Sequence, residues 1–336
     1  MARGARSHVR KRRRGCLGGC LMKIILLLGL CALLFVGACY VGIIRIDETT
    51  GAPTIDGSAV QLPEAVKSIK FPQIDLSGIG MDGLSLPAWA YGVEDSGLTV
   101  KVLRAGGGEA ILVCCDGYTM LLGGGENGMM TMGQLLLCGA RNLSVAAAMS
   151  LEEGQTGGMN AVIAFTKPTY LLYPDTQTKT ARFNAMMDAA QNGGTQCIAP
   201  TQGLTFSLGR ASVRVVGPKY KNHTDERDDG LSVRIDYGDA SVLIMGDVTQ
   251  AAERELISSG APLNADVLIC GRGGSEEATS AVLVTAVSPE IAVMTGESPA
   301  NAVKVRLERA GAKVYTAKEH GVMTITSDGK EIHIVP

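Results

Sequence analysis

The chain has 336 residues, 46% hydrophobic, 19% charged and only 4% aromatic, with 43 Gly, 12 Pro, 9 Cys and a single Trp. That composition excludes a disordered polymer, a collagen and a small disulfide scaffold, and it leaves few rings for stacking single-stranded bases. The net charge of −2 conceals a division: eight of the 31 basic residues, and no acid, fall in residues 1–23, leaving 23 basic against 33 acidic groups elsewhere. A body at −10 with no long basic run does not favour nucleic acid as a partner, because such affinity rests on Lys and Arg releasing counterions.

Residues 24–44 form a run of 21 residues without charge or proline, long enough at about 1.5 Å per residue to cross a hydrocarbon core of roughly 30 Å. The basic tail of residues 1–23 precedes it, and the positive-inside tendency assigns that tail to the cytoplasm and the body to the outside. The expectation is a cell-membrane protein with one transmembrane helix, whose partner there is the bilayer. A cleaved signal peptide is the competing reading, although its apolar region usually runs only about 7–15 residues. Cys16 and Cys20 beside this run receive no role.

Residues 45–97, with Pro53, Pro63, Pro72 and Pro87 among many Gly and Ser, read as a linker or stalk. Leu84, Leu86, Trp89 and Tyr91 are costly to leave in water and are expected to pack on the domain that follows. In that domain, residues 98–336, apolar alternation predicts strands at 98–102, 110–115, 119–122, 161–165, 169–173, 212–216, 232–237, 241–245, 265–270, 290–294, 313–316, 322–326 and 331–335. Helices are predicted at 128–138, 179–191, 249–259, 276–286 and 300–310, the last closed by Gly311. Strands buried between helical layers indicate one α/β domain. Cys114 and Cys115, adjacent in a strand, are expected on opposite faces, and they, Cys138, Cys197 and Cys270 read as free thiols.

Four segments, in order, resemble the metallo-β-lactamase fold, and in particular the extracytoplasmic hydrolase-like domain of ComEC DNA-uptake proteins. Leu103-Arg104-Ala105-Gly106-Gly107-Gly108-Glu109-Ala110-Ile111-Leu112 resembles the family's Leu-Asp-Val-Gly-Gln-Gly-Asp-Ala-Ile-Leu. Asp116-Gly117 and Leu121-Leu122-Gly123-Gly124-Gly125 follow as its Asp-Gly and Leu-Ile-Asp-Gly-Gly. Ile244-Met245-Gly246-Asp247 is similar to the strand ending in Thr-Gly-Asp, and Gly271-Arg272-Gly273-Gly274-Ser275 to Gly-His-His-Gly-Ser. The resemblance implies an αββα sandwich over residues 98–336.

It also implies a pair of metal ions, usually zinc, held by a His-x-His-x-Asp-His loop and further His and Asp residues. Here the loop positions carry Ser150, Glu152, Gly154 and Gln155, and the paired histidines are Arg272 and Gly273; Asp247 alone keeps a ligand type. Imidazole suits zinc and a hydroxyl does not, so a dinuclear zinc site is not expected. Arg272 and Arg104, which stand where the family has His and Asp, are expected to replace the metal charge by pairing with Asp247, Glu152 or Glu153. The alternative is a solvated pair worth about 0–1 kcal/mol.

Other features have simpler readings. The glycine runs 106–108 and 123–125 lack the Gly-Lys-Ser/Thr of a phosphate loop and are read as tight turns. Met129, Met130 and Met132 are read as core, His223 with Asp225, Glu226, Asp228 and Asp229 as a solvated loop, and His320 and His333 as structural. No serine nucleophile can be built around Ser150 or Ser275. The sequence therefore indicates a pseudoenzyme, a membrane-anchored binding or scaffolding module for an unidentified protein or small molecule, with competence or DNA uptake as the context that the resemblance implies. The alternative is a hydrolase of phosphodiesters or similar esters whose site uses Glu152, Asp247 and Arg272 with zinc, magnesium or manganese.

Overall fold

The structure, a computed structural model, describes residues 44–46, 53–55 and 97–335. The chain divides into two units, Met1–Gly80 and Met81–Pro336. In the first, β1 (Ile44–Ile46) and β2 (Pro53–Ile55) pair antiparallel, with Ile46 opposite Pro53. The expected stalk thus contains a short ribbon, and Pro53 opens its strand, where a missing N–H is tolerated. Among the described residues no helix is long and apolar enough to cross a membrane. Residues 24–43 of the expected span lie outside them, as do Cys16, Cys20 and residues 84–91, and Ile44 belongs to β1.

The second unit holds two sheets. One contains β3 (Leu98–Val102), β4 (Ile111–Cys115), β5 (Tyr118–Leu122), β6 (Val145–Ala147), β7 (Tyr170–Leu172), β8 (Gln196–Ile198), β16 (Met323–Ser327) and β17 (Ile332–Val335), in the order β17-β16-β3-β4-β5-β6-β7-β8. The other contains β9 (Thr205–Leu208), β10 (Ala211–Gly217), β11 (Ser232–Tyr237), β12 (Ala240–Ile244), β13 (Val267–Ile269), β14 (Ile291–Met294) and β15 (Lys313–Thr316), in the order β15-β14-β13-β12-β11-β10-β9. Each sheet is antiparallel where hairpins connect its strands and parallel where helices do, as crossover geometry requires. The helices are α1 (Gly128–Leu137), α2 (Glu153–Thr156), α3 (Met159–Thr166), α4 (Ala181–Gly193), α5 (Gln250–Ser258), α6 (Ala281–Val287), α7 (Asn301–Arg309) and α8 (Ala317–His320).

Period two in the strands explains the layering. Ile111, Val113 and Cys115 point between the sheets and meet Val233, Ile235, Val242 and Ile244, while Leu112 and Cys114 point outward among Leu135, Val162, Ile163 and Met186 of the helices. On the far side, Leu243 and Leu268 face Leu256, Leu283 and Leu307. Strands apolar on both faces need cover on both faces, and the result is the expected αββα sandwich. Each such buried side chain contributes about 1.5–3 kcal/mol of transfer free energy.

Four local expectations change. Residues 161–165, read as a strand, lie in α3, where Met159, Val162, Ile163 and Thr166 bury one face at helical spacing. A short apolar run between a glycine pair and Lys167-Pro168 carries either period, and packing against β6 and β7 decides. Met129 is 74% exposed and Met130 is exposed beside it, because α1 is apolar all round and buries only its inner face, Thr131 and Leu135. Strands β6, β8 and β9 were too short to show a period. The acidic loop is not solvated at its end: Asp228 and Asp229 are buried, and Asp228 accepts bonds from the Thr249 N–H and hydroxyl at the start of α5.

The five cysteines of this domain are free, and Cys114 and Cys115 lie in different layers.

Candidate functional site

Parallel strands of both sheets end at one rim, and the loops that leave them meet there. Glu109 comes from the β3–β4 loop, Ser150 and Gln155 follow β6, and Asp247, Arg272 and Thr295 follow β12, β13 and β14. Between them is a cleft of about 150 Å³, lined in part by Glu109, Gln155, Asp247, Arg272 and Thr295. Close packing of main chains narrows it: a Cβ on Gly108 would lie 1.9 Å from the Gly154 carbonyl oxygen. Glycine at position 108 is thus a condition of the loop contact, and the Glu109 N–H donates to the same Gly154 carbonyl at 2.8 Å.

Two hydrogen-bonded sets fill the ligand positions. The Ser150 hydroxyl donates to Asp247 Oδ2 at 2.6 Å and accepts from the Glu152 N–H at 3.2 Å. Gln155 Nε2 and the Thr295 hydroxyl donate to the two oxygens of Glu109 at 3.1 and 2.9 Å. Glu109 is 7% exposed, and burial, reinforced by the Asp247 carboxylate, pushes its carboxyl up to about 7. Both sets cross from one sheet to the other, so the ligand positions now tie the two halves of the sandwich together.

Arg272 is held in the left-handed region, φ 51°, a conformation that costs a side chain energy and that here aims it along the rim. Its guanidinium donates to the main-chain oxygen of Asp247 at 3.3 Å and pairs with Glu277 at 3.4 Å. Arg227 joins Glu277 at 3.0 Å and Asp225 at 2.5 Å, and its hydrogen bonds, reinforced by its charge, draw the Asp225 carboxyl below the usual carboxylate range. The expected pairing of Arg272 is therefore corrected: its ion partner is Glu277, which the sequence reading omitted, and it reaches Asp247 only through the main chain. Buried Arg272 Nε and Gln155 Oε1 have no partner among the described residues.

The other sequence candidates do not join this cleft. Glu152 is exposed at the start of α2, Glu153 pairs with Arg182 at 3.5 Å, and the exposed Arg104 lines a neighbouring pocket. His320 bonds to the Thr316 carbonyl and His333 pairs with Glu331, both far in sequence from any ligand position. His223 is clamped by Asp229 at 2.7 Å and Glu255 at 3.1 Å, and those bonds raise its pKa against the opposing effect of burial. Glu109, Gln155 and Thr295 were missed as a set. Glu109 had a signal, since it occupies the family's acid position after three glycines; Thr295 had none, because only the ends of β4 and β14 meeting brings it near.

The donor set does not fit the family's dinuclear zinc centre. Among the described residues no group of three or more His, Cys, Asp or Glu side chains is placed to hold a metal ion. The positions that would supply imidazoles supply a hydroxyl, an amide, a guanidinium, bare glycine and the exposed Glu152 carboxylate, and the hydroxyl and amide are already bonded to the two carboxylates of the cleft.

No family model matches the chain. Over 112 residues it is 31% identical to competence protein ComA of Neisseria gonorrhoeae, a match covering 33% of this chain and 16% of that protein. Among solved structures it is similar to the metallo-β-lactamase fold protein YhfI of Bacillus subtilis (14% identity, 67% of this chain and 98% of that one, TM-score 0.47). It is also similar to a variant of the β-hydroxylase CmlA (12% identity, 68% and 54%, TM-score 0.47). The chain resembles the metallo-β-lactamase fold in its two-sheet α/β architecture, and a third of it is similar to a competence protein, as its ComEC-like motifs suggested.

Proposed function

We propose that this chain is a membrane-anchored metallo-β-lactamase-like binding module that has exchanged hydrolysis for recognition. The observation that carries this reading is the closure of the ligand positions on one another, Ser150 with Asp247 and Gln155 and Thr295 with Glu109. A metal entering there would have to break charge-assisted bonds and would meet the Arg272 guanidinium. A buried charged bond is worth about 1.5–3 kcal/mol, and the remaining donors offer too few hard or imidazole ligands to offset the loss. The rim still presents buried polar atoms and a cleft, which suits binding of a polar ligand. The similarity to a competence protein supports a role beside DNA uptake at the cell envelope, and the apolar run of residues 24–44 supports the anchor.

Metal analysis of the purified chain tests the proposal. After exposure to zinc, manganese and magnesium and desalting, the bound metal is expected to stay below about a tenth of an ion per chain. One or two ions held tightly, and lost in Asp247→Ala, would replace this reading with a metal-dependent hydrolase.

A further inference from the structure

The turn of Gly106, Gly107 and Gly108 borders a second pocket, of about 380 Å³, which shares Gly108 and Thr295 with the cleft. All three glycines have positive φ, 72°, 108° and 66°, so no other residue type fits the turn without strain. Their main-chain N–H groups find no acceptor among the described residues, although the Gly107 carbonyl accepts from the Glu126 N–H at 3.0 Å. Arg104 from the same loop and Lys318 from α8 line this pocket. Neither has an ion-pair partner among the described residues; Glu319, beside Lys318, is taken by Lys304 at 3.3 Å. Two carboxylates oppose them, Glu297 in the lining and Glu126, whose oxygens pack against Gly107.

We propose that this pocket binds the phosphate group of a small-molecule ligand through the three glycine N–H groups, Arg104 and Lys318. The proposal rests on the reading of the rim as a binding site and names the chemistry of what it binds. Three N–H donors and two cations exceed what a carboxylate's two oxygens can accept, whereas a phosphate offers three peripheral oxygens and about −1.5 to −2 charge near neutrality. A ligand so anchored would extend past Gly108 and Thr295 toward Gln155 and Arg272, where buried polar atoms lack partners. The volume accommodates a phosphorylated metabolite, and the acidic body disfavours a long polyanion.

The test is titration of inorganic phosphate onto the full chain, followed by the ³¹P line width at low ionic strength, with acetate as the carboxylate comparison. Saturable broadening is expected, weakened at least tenfold in the double variant Arg104→Gln/Lys318→Gln and tightened in Glu297→Gln. Both sites of the double variant are at the surface, so the fold is retained, and circular dichroism checks it. No saturable broadening, equal binding by the double variant, or equal competition by acetate would overturn the phosphate site. Metal content of the same preparation separates the two ideas. A metal-loaded chain that binds phosphate refutes the binding-module reading alone, and a metal-free chain that does not bind it refutes the phosphate site alone.

Discussion

Replacing Glu109 by Gln tests the electrostatics of the cleft directly. In the folded chain the carboxyl titrates at about 7, against 4.5 when unperturbed, because burial and the Asp247 carboxylate both disfavour its charge. An acid whose folded pKa is raised keeps its proton in the native state where the unfolded chain has lost it. Its effect on stability is therefore most favourable below the unfolded value and declines as pH rises through 4.5 toward 7. At about 1.4 kcal/mol per pH unit, the native state should lose about 2–3 kcal/mol from this group between pH 5 and pH 8. Gln has the size of the protonated acid and can still accept from Gln155 and meet the Thr295 hydroxyl. Urea unfolding followed by far-ultraviolet circular dichroism is the assay, with wild type and Glu109→Gln compared across that range. His223 and Glu253, whose pKa values are also raised, are common to both proteins and cancel in the difference. Profiles that stay parallel within about 0.5 kcal/mol would refute the reasoning, since that is the usual error of such comparisons.

Three further outcomes can be checked in the same way. Ser150→Ala strips Asp247 of its 2.6 Å donor and should cost about 1–3 kcal/mol in urea unfolding. Gly108→Ala combines a φ of 66° with a Cβ 1.9 Å from the Gly154 oxygen, and should destabilise by about 3 kcal/mol or more, read as a lowered midpoint. His223→Gln should cost about 1–3 kcal/mol at pH 6, where the imidazolium joins Asp229 and Glu255. Because the folded pKa of His223 is raised, that cost is fully present below 6.5 and shrinks as pH passes the folded value, so a pH-independent cost would count against the clamp.

Residue patterns carried much of the fold. Alternation in 98–102, 232–237 and 313–316 and the glycine-closed helix near 300–310 depend on neighbours in sequence, and they appear where periodicity puts them. The segment 161–165 did not follow, because a five-residue apolar run satisfies both periods and only the surface it packs against selects one. Of the cleft, the sequence by itself determined what is missing, since the imidazoles absent at Ser150, Glu152, Gln155, Arg272 and Gly273 can be read position by position. Tertiary structure alone decided what replaced them. Glu109 and Thr295 are 186 residues apart and Ser150 and Asp247 are 97 apart, so their bonds exist only because two sheets end at one rim. Arg272 likewise found Glu277 through a left-handed turn and a shared solvent edge rather than the half-buried Asp247 carboxylate. Local propensity is written in adjacent residues, whereas the pairing of charges and the depression or elevation of a carboxyl's pKa depend on burial and on partners that only the folded chain brings within bonding distance.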